Sequence, residues 1–161
     1  MLRTKVSVKV ADEFGSAFSR FHTLLIDSVL PSGMSLGQVR TLVALRDGGP
    51  TRVTALAEVL RVTQPTTSNV VKRMEARGWV ARVVDNFDRR VVVVCLAPAG
   101  WEVLNQFMAL RSERLRQLFS KLPDEHRQAV VAVIPAFEKL IEIAKAEIAE
   151  QVFENDGAAE A

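Results

Sequence analysis

Residues 51–100 have the sequence TRVTALAEVLRVTQPTTSNVVKRMEARGWVARVVDNFDRRVVVVCLAPAG, and this stretch decides the fold. Its apolar pattern predicts a short helix over Val53 to Leu60. Thr63 is a suitable N-cap for a second helix, because Pro65 then falls in the first turn, where a missing N–H costs nothing. The second helix should end at Gly78. Roughly three residues join the two helices, which is typical of a helix-turn-helix motif.

Two valine-rich segments follow this motif, Trp79 to Val84 and Arg90 to Leu96, on either side of a polar tip at Asp85 to Arg89. Valine favours β-strands, and a polar tip between two such segments predicts a β-hairpin. A hairpin directly after a helix-turn-helix motif is called a wing. The predicted fold class is therefore mainly α with a small β-hairpin, a winged helix-turn-helix.

Amphipathic helices are predicted on both sides of this region. Phe14, Phe18, Phe21, Leu25 and Val29 recur at helical spacing before Pro31 and Gly33, and Ser35 is a plausible N-cap for the next helix. On the C-terminal side, one helix begins near residues 97–100 and another after residues 122–125. The terminal helices carry apolar stripes too broad for a small winged domain to cover, which favours pairing with a second chain. We therefore divide the chain into an N-terminal dimerisation helix (5–33), a winged domain (35–100), C-terminal dimerisation helices (101–152) and a disordered tail (153–161).

The distribution of charge favours a polyanionic partner for the middle of the chain. Between residues 50 and 100 there are eight basic and four acidic residues, whereas the stretch from Lys121 to the end has four basic and nine acidic ones. Cys95 is the only cysteine and His22 and His126 are the only histidines, which argues against a disulfide or a zinc site. No apolar run is long enough for a membrane span, so we expect a soluble cytoplasmic protein.

The predicted second helix of the motif has the residues that a DNA-recognition helix requires. Short hydrogen-bonding side chains at its N-terminal end can approach base edges, and nearby cations can bind phosphates. Five polar residues exceed what one helix cap needs. We expect contacts with double-stranded DNA from Gln64, Pro65, Thr66, Thr67, Ser68, Asn69, Lys72 and Arg73, together with Arg52 and Thr54 at the beginning of the preceding helix.

The tip of the predicted hairpin supplies two further cations. Arg89 and Arg90 are long enough to reach a minor groove, whose negative potential attracts arginine. Asp88 would repel phosphates, so we expect Arg73 or Arg77 to neutralise it and thereby support the wing.

The string DRRVVVVCLAPAG, from Asp88 to Gly100, resembles the wing signature of the MarR (multiple antibiotic resistance regulator) family. Asp88, Arg90, Leu96 and Gly100 fit that signature, whereas Ala97 stands where threonine is usual. Residues 62–80 are similar to the recognition helix of that family. The resemblance implies a homodimer with interlocked terminal helices that binds a palindromic operator, as a repressor released by a small effector.

A small aromatic or carboxylate effector would bind between the dimerisation helices and the winged domain, as the resemblance implies. Phe18, His22, Arg40 and Trp101 are the candidate lining residues, although phenylalanine and tryptophan are more often core residues. We expect no cofactor and no metal. Redox control through Cys95 is not favoured, because the thiol lies in a valine-rich strand without an adjacent cation.

An enzyme and a protein-interaction module are the two alternatives to a DNA-binding protein. An enzyme is not favoured, because the chain has no glycine-rich phosphate loop and no recognisable catalytic spacing. The alternative is a winged-helix module for protein–protein interaction without sequence-specific DNA readout. Such a module would have exposed apolar residues on the outer face of the second helix, where this sequence has Gln64, Thr66 and Asn69.

Overall fold

The computed structural model describes the backbone of residues 7–84 and 88–159 and the side chains of residues 7–84 and 88–148. Within these ranges, six helices and one two-stranded antiparallel sheet follow one another in the order expected of a winged helix-turn-helix. The predicted fold class is confirmed. The elements are α1 (Val8–Val29), α2 (Leu36–Gly48), α3 (Val53–Leu60), α4 (Gln64–Glu75), β1 (Val80–Val84), β2 (Val92–Leu96), α5 (Pro98–Phe119) and α6 (Asp124–Ala159).

The helices begin where the sequence supplies caps. The Ser35 side chain accepts a hydrogen bond from the backbone N–H of Gln38, and the Gln38 side chain accepts one from the N–H of Ser35, so that α2 opens with a capping box. Thr63 accepts from the N–H of Thr66 at the start of α4. Helix α2 ends at Gly49, whose positive φ of 72° suits glycine. The predicted caps at Ser35 and Thr63 are confirmed.

Two compact units make up the chain, Met1–Leu115 and Arg116–Ala161. The predicted division at residue 100 does not coincide with this boundary and stays a prediction. Leu104 and Phe107 of α5 are buried in the hydrophobic core of the first unit, so the beginning of α5 is part of the winged domain. Ile26 and Val29 at the end of α1 belong to the same core.

The core of the first unit lies where α2, α3, α4, β2 and α5 meet. Its largest fully buried side chains include Phe107, Leu42, Leu56, Met74 and Val94. Burying a side chain of this size stabilises a fold by about 1.5–3 kcal/mol. Because α3 and α4 both contribute to this one core, the helix-turn-helix is held rigidly against α2.

The hairpin lies beside the same core. Strands β1 and β2 are antiparallel, with Val80 opposite Leu96 and Val84 opposite Val92. Thr51 adds a short bridge to Val94 through a pair of backbone hydrogen bonds of 3.0 and 2.8 Å. The segment between α2 and α3 therefore anchors the sheet at the middle of β2.

The second unit contains α6, which runs without interruption through Pro135 to Ala159. The disordered tail predicted for residues 153–161 is wrong as far as Ala159, because the structure describes that backbone as helical. No proline interrupts this stretch, in which glutamate and alanine of high helix propensity stand beside Asn155, Asp156 and Gly157 of lower propensity. The last two residues of the predicted tail lie outside the described residues.

Gly100 lies where α5 passes the backbone of Trp79, whose carbonyl oxygen accepts a hydrogen bond from Ala97 N at 3.0 Å. A Cβ atom at position 100 would overlap this carbonyl oxygen. We therefore expect Gly100→Ala to lower the free energy of unfolding by about 1–3 kcal/mol, measured by urea denaturation.

Gly37→Ala is the matched control, because a Cβ at this position in α2 would meet Ser35 Oγ at an ordinary contact distance of 3.9 Å. Its expected effect is a gain of about 0.5–1 kcal/mol. Equal stability of the Gly100→Ala protein and the wild-type protein would show that α5 does not pass Trp79 as closely as described.

Candidate nucleic-acid interface

The turn between α3 and α4 consists of Arg61, Val62 and Thr63. Arg61 adopts the left-handed conformation, with φ 53° and ψ 47°, which is uncommon for a residue other than glycine. Val62 N donates a hydrogen bond to Ala57 O at 3.1 Å, and Arg61 N donates to Glu58 O at 3.0 Å. These bonds close the end of α3 in the manner of a Schellman motif, so the direction of α4 is set within three residues.

One face of α4 is buried in the core through Thr67, Val71 and Met74, which are between 0 and 1% exposed. The prediction that Thr67 contacts DNA is therefore wrong. Its hydroxyl donates to Thr63 O at 3.2 Å, which satisfies the polar group within its own helix. Thr67 is spaced at i, i+4 and i+7 with Val71 and Met74, so it lies on the apolar stripe despite its hydroxyl.

The opposite face of α4 presents the remaining predicted contact residues to solvent. Ser68 is half-buried, and the others are exposed. Arg73 Nε donates to Asn69 O at 3.3 Å, so its side chain lies along α4 towards the N-terminal end. Short polar groups thus lie at the start of α4, and the cations Lys72 and Arg73 lie in its last turn. The exposed residues are Gln64, Pro65, Thr66, Asn69, Lys72 and Arg73.

A shallow groove of about 490 Å³ connects α3 to the start of α4. Thr54 of α3 and Gln64 of α4 both line it, so the structure brings these two predicted residues together. Arg61 and Thr63 line the same groove and were absent from the predicted set. The sequence does indicate Arg61 as a phosphate-binding candidate, because it is a cation shortly before the polar start of α4. Arg52, at the N-cap of α3, is exposed.

At the wing, Asp88, Arg89 and Arg90 are exposed, while residues 85–87 of the predicted tip lie outside the described residues. The Asp88 carboxylate accepts a hydrogen bond from Arg90 N at 2.9 Å, and Asp88 O accepts one from Val91 N at 2.9 Å. Asp88 therefore shapes the turn that carries both arginines. Its neutralisation by Arg73 or Arg77 stays a prediction.

Arg77 has a different set of contacts from the one predicted. Its Nη1 donates to Gly33 O at 2.6 Å, and its guanidinium lies 4.8 Å from the centre of the Trp79 ring. These contacts connect the residues after α4 to the turn between α1 and α2. Arg77 thereby helps to fix the exit of α4.

A second feature of the first unit is an open cleft of about 620 Å³, within the range of small-molecule sites. His22 and Arg40 line it, whereas Phe18 and Trp101 do not, and the predicted effector pocket stays a prediction. Phe18 stacks on His22, with ring centres 6.2 Å apart. Trp101 precedes Phe107 by six residues, about 9 Å along α5, and is exposed.

Most of the lining residues were missed by the sequence analysis, among them Phe107, Met108 and Arg111 of α5. The side-chain Nε of Arg111 is buried and has no hydrogen-bond partner among the described residues. Asp47 also lines the cleft, but it pairs with Arg46, with Nε and Oδ1 2.7 Å apart. This hydrogen bond raises the pKa of the Arg46 guanidinium. The cleft therefore combines apolar walls with two arginines.

Other chemistry is not indicated for the part of the chain that the structure describes. No cluster of three metal-ligating side chains is found among those residues. Nor does that part of the chain hold a helix of the length and apolarity that crossing a bilayer demands. Cys95 is half-buried, and its thiol lies 3.6 Å from Ala81 O in the neighbouring strand.

The geometry defines the class of the protein as a winged helix-turn-helix protein. The model of the MarR family matches residues 32–91, from the start of α2 to the tip of the wing. An uncharacterized HTH-type transcriptional regulator of Bacillus subtilis, YwoH, is 31% identical over 101 residues, which cover 62% of this chain and 72% of YwoH. The HTH-type transcriptional repressor NicR of Pseudomonas putida is 31% identical over 100 residues, 62% of this chain and 63% of NicR.

Solved structures show the same fold. A mutant of MepR from S. aureus, bound to an oligodeoxyribonucleotide, superposes with a TM-score of 0.61 at 20% identity, over 81% of this chain and 96% of MepR. The chain belongs to the MarR family, and it is a transcriptional regulator.

Because Thr67 is buried and Gln64 is exposed, substitutions at these two positions should affect base recognition differently. Gln64→Ala removes an exposed amide at the tip of α4, so we expect a changed preference among operator sequences. Thr67→Val keeps the shape of a buried side chain, so we expect an unchanged preference and only a small loss of stability.

Competition binding to a library of operator variants measures both preferences. An altered base preference in the Thr67→Val protein, with Gln64→Ala like the wild type, would contradict the described orientation of α4.

Proposed function

We propose that this regulator acts as a homodimer that binds a palindromic double-stranded DNA operator in the cytoplasm and represses transcription until a small anionic effector releases it. The observation that carries the DNA-binding part is the division of α4 into a buried face and an exposed polar face. Base edges in a major groove require short hydrogen-bonding side chains on a projecting helix, and Gln64, Thr66 and Asn69 supply them.

The wing supports the same proposal. Arg89 and Arg90 are exposed on a turn whose shape depends on Asp88. Arginines on such a turn suit the adjacent minor groove, while Lys72 and Arg73 suit the phosphates beside α4. Apart from Pro65, the exposed residues of α4 are polar or charged, which disfavours the alternative of a protein-interaction module.

The dimer is inferred from apolar surface that the described chain leaves exposed. On α1, Val10, Phe21 and Leu24 are 54%, 42% and 70% exposed and lie along one stripe. On α6, a second set is exposed, namely Val131, Ile134, Leu140, Ile141, Ile143 and Ile148. Apolar surface of this extent marks an interface, and a second copy of the same chain presents matching stripes. Two-fold pairing would place two copies of α4 about one DNA turn, roughly 34 Å, apart.

The effector is inferred from the chemistry of the cleft. Phe107, Met108 and neighbouring aliphatic residues suit a flat apolar ring, and Arg40 and Arg111 suit a carboxylate or phenolate. NicR, which resembles this chain, is named a repressor, which favours repression as the default action. We infer a regulatory rather than an enzymatic function, because the cleft offers binding groups and no nucleophile paired with a base.

The proposal is tested by selecting genomic fragments that the purified protein retains and then titrating the recovered operator with the protein. Recovery of one palindromic sequence supports the proposal. Retention of random fragments with equal affinity would contradict sequence-specific binding.

Arg90→Ala should weaken operator binding by roughly 1–3 kcal/mol, or about 5- to 150-fold, because it removes a wing cation from the DNA. Fluorescence anisotropy with labelled operator measures the affinity. Arg127→Ala is the control, because Arg127 is also an exposed arginine and pairs with Asp124 at 3.1 Å in the second unit. Equal affinities for both variants and the wild type would contradict the role of the wing.

Phe21→Glu should convert the dimer to a monomer, because it places a charge in the middle of the apolar stripe of α1. Thr23→Glu adds the same charge to the polar side of α1 and should leave the dimer intact. Sedimentation equilibrium distinguishes the two masses. A monomeric wild-type protein, or a Phe21→Glu protein that stays dimeric, would contradict the proposed interface.

A further inference from the structure

Arg61 has a backbone conformation that only glycines adopt elsewhere in the described ranges. Its φ is 53°, and the other described residues with positive φ are Gly33, Gly49 and Gly78. The left-handed conformation is unfavourable for a residue with a Cβ atom, and glycine avoids this cost. Glycine is also the usual residue where a helix ends in this way. Arginine at this position therefore lowers the stability of the fold relative to glycine.

The side chain of Arg61 does not compensate for this cost within the described structure. The backbone N–H of Arg61 donates to Glu58 O at 3.0 Å, but any residue except proline would make the same bond. The side chain is exposed, and its guanidinium has no hydrogen bond or ion pair with another described residue. Backbone strain that the surrounding structure does not explain points to function.

The turn that carries Arg61 lies where a bound duplex would pass. Arg61 lines the groove between α3 and α4 together with Thr54 and Gln64. When the start of a recognition helix enters a major groove, the preceding helix crosses the sugar–phosphate backbone, so the turn between them lies close to phosphates. Arg61 is the only cation among the residues that line this groove, and Glu58 is the only acid. Without Arg61, the groove would present a negative charge to DNA.

We propose that Arg61 binds a phosphate of the operator beside the recognition helix, and that arginine is kept in a strained conformation for this contact. The inference rests on the proposed DNA-binding function, and it assigns to the turn a share of the affinity that does not depend on base sequence. Phosphates carry no sequence information directly, so Arg61 raises the affinity for every operator variant by about the same factor. Stability and DNA affinity are thus opposed at this position.

The test compares the full-length wild-type protein with Arg61→Gly, Arg61→Lys and Arg127→Ala. Glycine removes both the strain and the cation, whereas lysine keeps the positive charge and the unfavourable backbone conformation. Arg127→Ala is the control for net charge, because it removes an exposed arginine of the second unit. Thermal unfolding is measured without DNA. Fluorescence anisotropy gives the affinity for the operator and for its single-base variants at several salt concentrations.

Arg61→Gly should unfold at a temperature about 1–4 °C higher than the wild type, because glycine relieves the strain. It should bind the operator roughly 5- to 30-fold more weakly, with an unchanged ranking of the single-base variants. The slope of log K against log salt should become shallower by about 1.8, which is 0.9 for each Arg61 of a dimer. Arg61→Lys and Arg127→Ala should keep the wild-type slope.

Wild-type affinity and salt slope in the Arg61→Gly protein would overturn the phosphate contact and leave the proposed function intact. A changed ranking of the single-base variants would show that Arg61 contacts bases, which would overturn its assignment to a phosphate. An unfolding temperature no higher than that of the wild type would overturn the cost in stability. A wild-type protein that binds operator and random DNA equally would contradict the proposed function, and the change in salt slope would still decide the phosphate contact.

Discussion

The burial of Thr67, Val71 and Met74 determines which side of α4 faces outward. These residues enter the core that Leu42 and Phe107 share, so α4 cannot rotate about its axis without exposing apolar surface and the Thr67 hydroxyl. Rotation by one residue position, about 100°, would move all three side chains out of this core. The polar face available for DNA is therefore a consequence of packing on the opposite face, and not of the polar residues themselves.

Contacts at both ends of α4 add to that constraint. At its start, Thr63 caps the helix, and the turn before it depends on the end of α3. After its end, Arg77 bonds to Gly33 O beside the α1–α2 turn and lies over Trp79. Since Arg40 bonds to Leu60 O, the turn before α4 is connected to α2. Through Arg77, the residues after α4 are connected to the α1–α2 turn.

The parts of the fold that were predicted from sequence are those decided locally. The bounds of α3 and the caps at Ser35 and Thr63 follow from apolar spacing and from side chains that bond neighbouring backbone groups. The polar side chain of Thr67 suggested a DNA contact, whereas its spacing from Val71 and Met74 places it on the buried face of α4. For this residue the sequence did contain the necessary signal.

The cleft could not be predicted in the same way, because it is formed by elements distant in the chain. His22, Arg40 and Arg111 come from three different helices, and their meeting depends on how those helices pack. Phe18 and Trp101 have suitable chemistry, yet one stacks beside His22 outside the lining and the other lies nearly two turns before the lining residues of α5. No local pattern distinguishes such positions from those that line the cleft.

The central claim is that two exposed copies of α4 bind one operator at a fixed separation. It is tested most directly by inserting base pairs between the half-sites of the selected operator and measuring affinity for the wild-type protein. About five added base pairs, half a turn, place the half-sites on opposite faces of the duplex, and affinity should fall to that for random DNA. Undiminished affinity for this spaced operator would contradict a rigid two-fold pair of recognition helices.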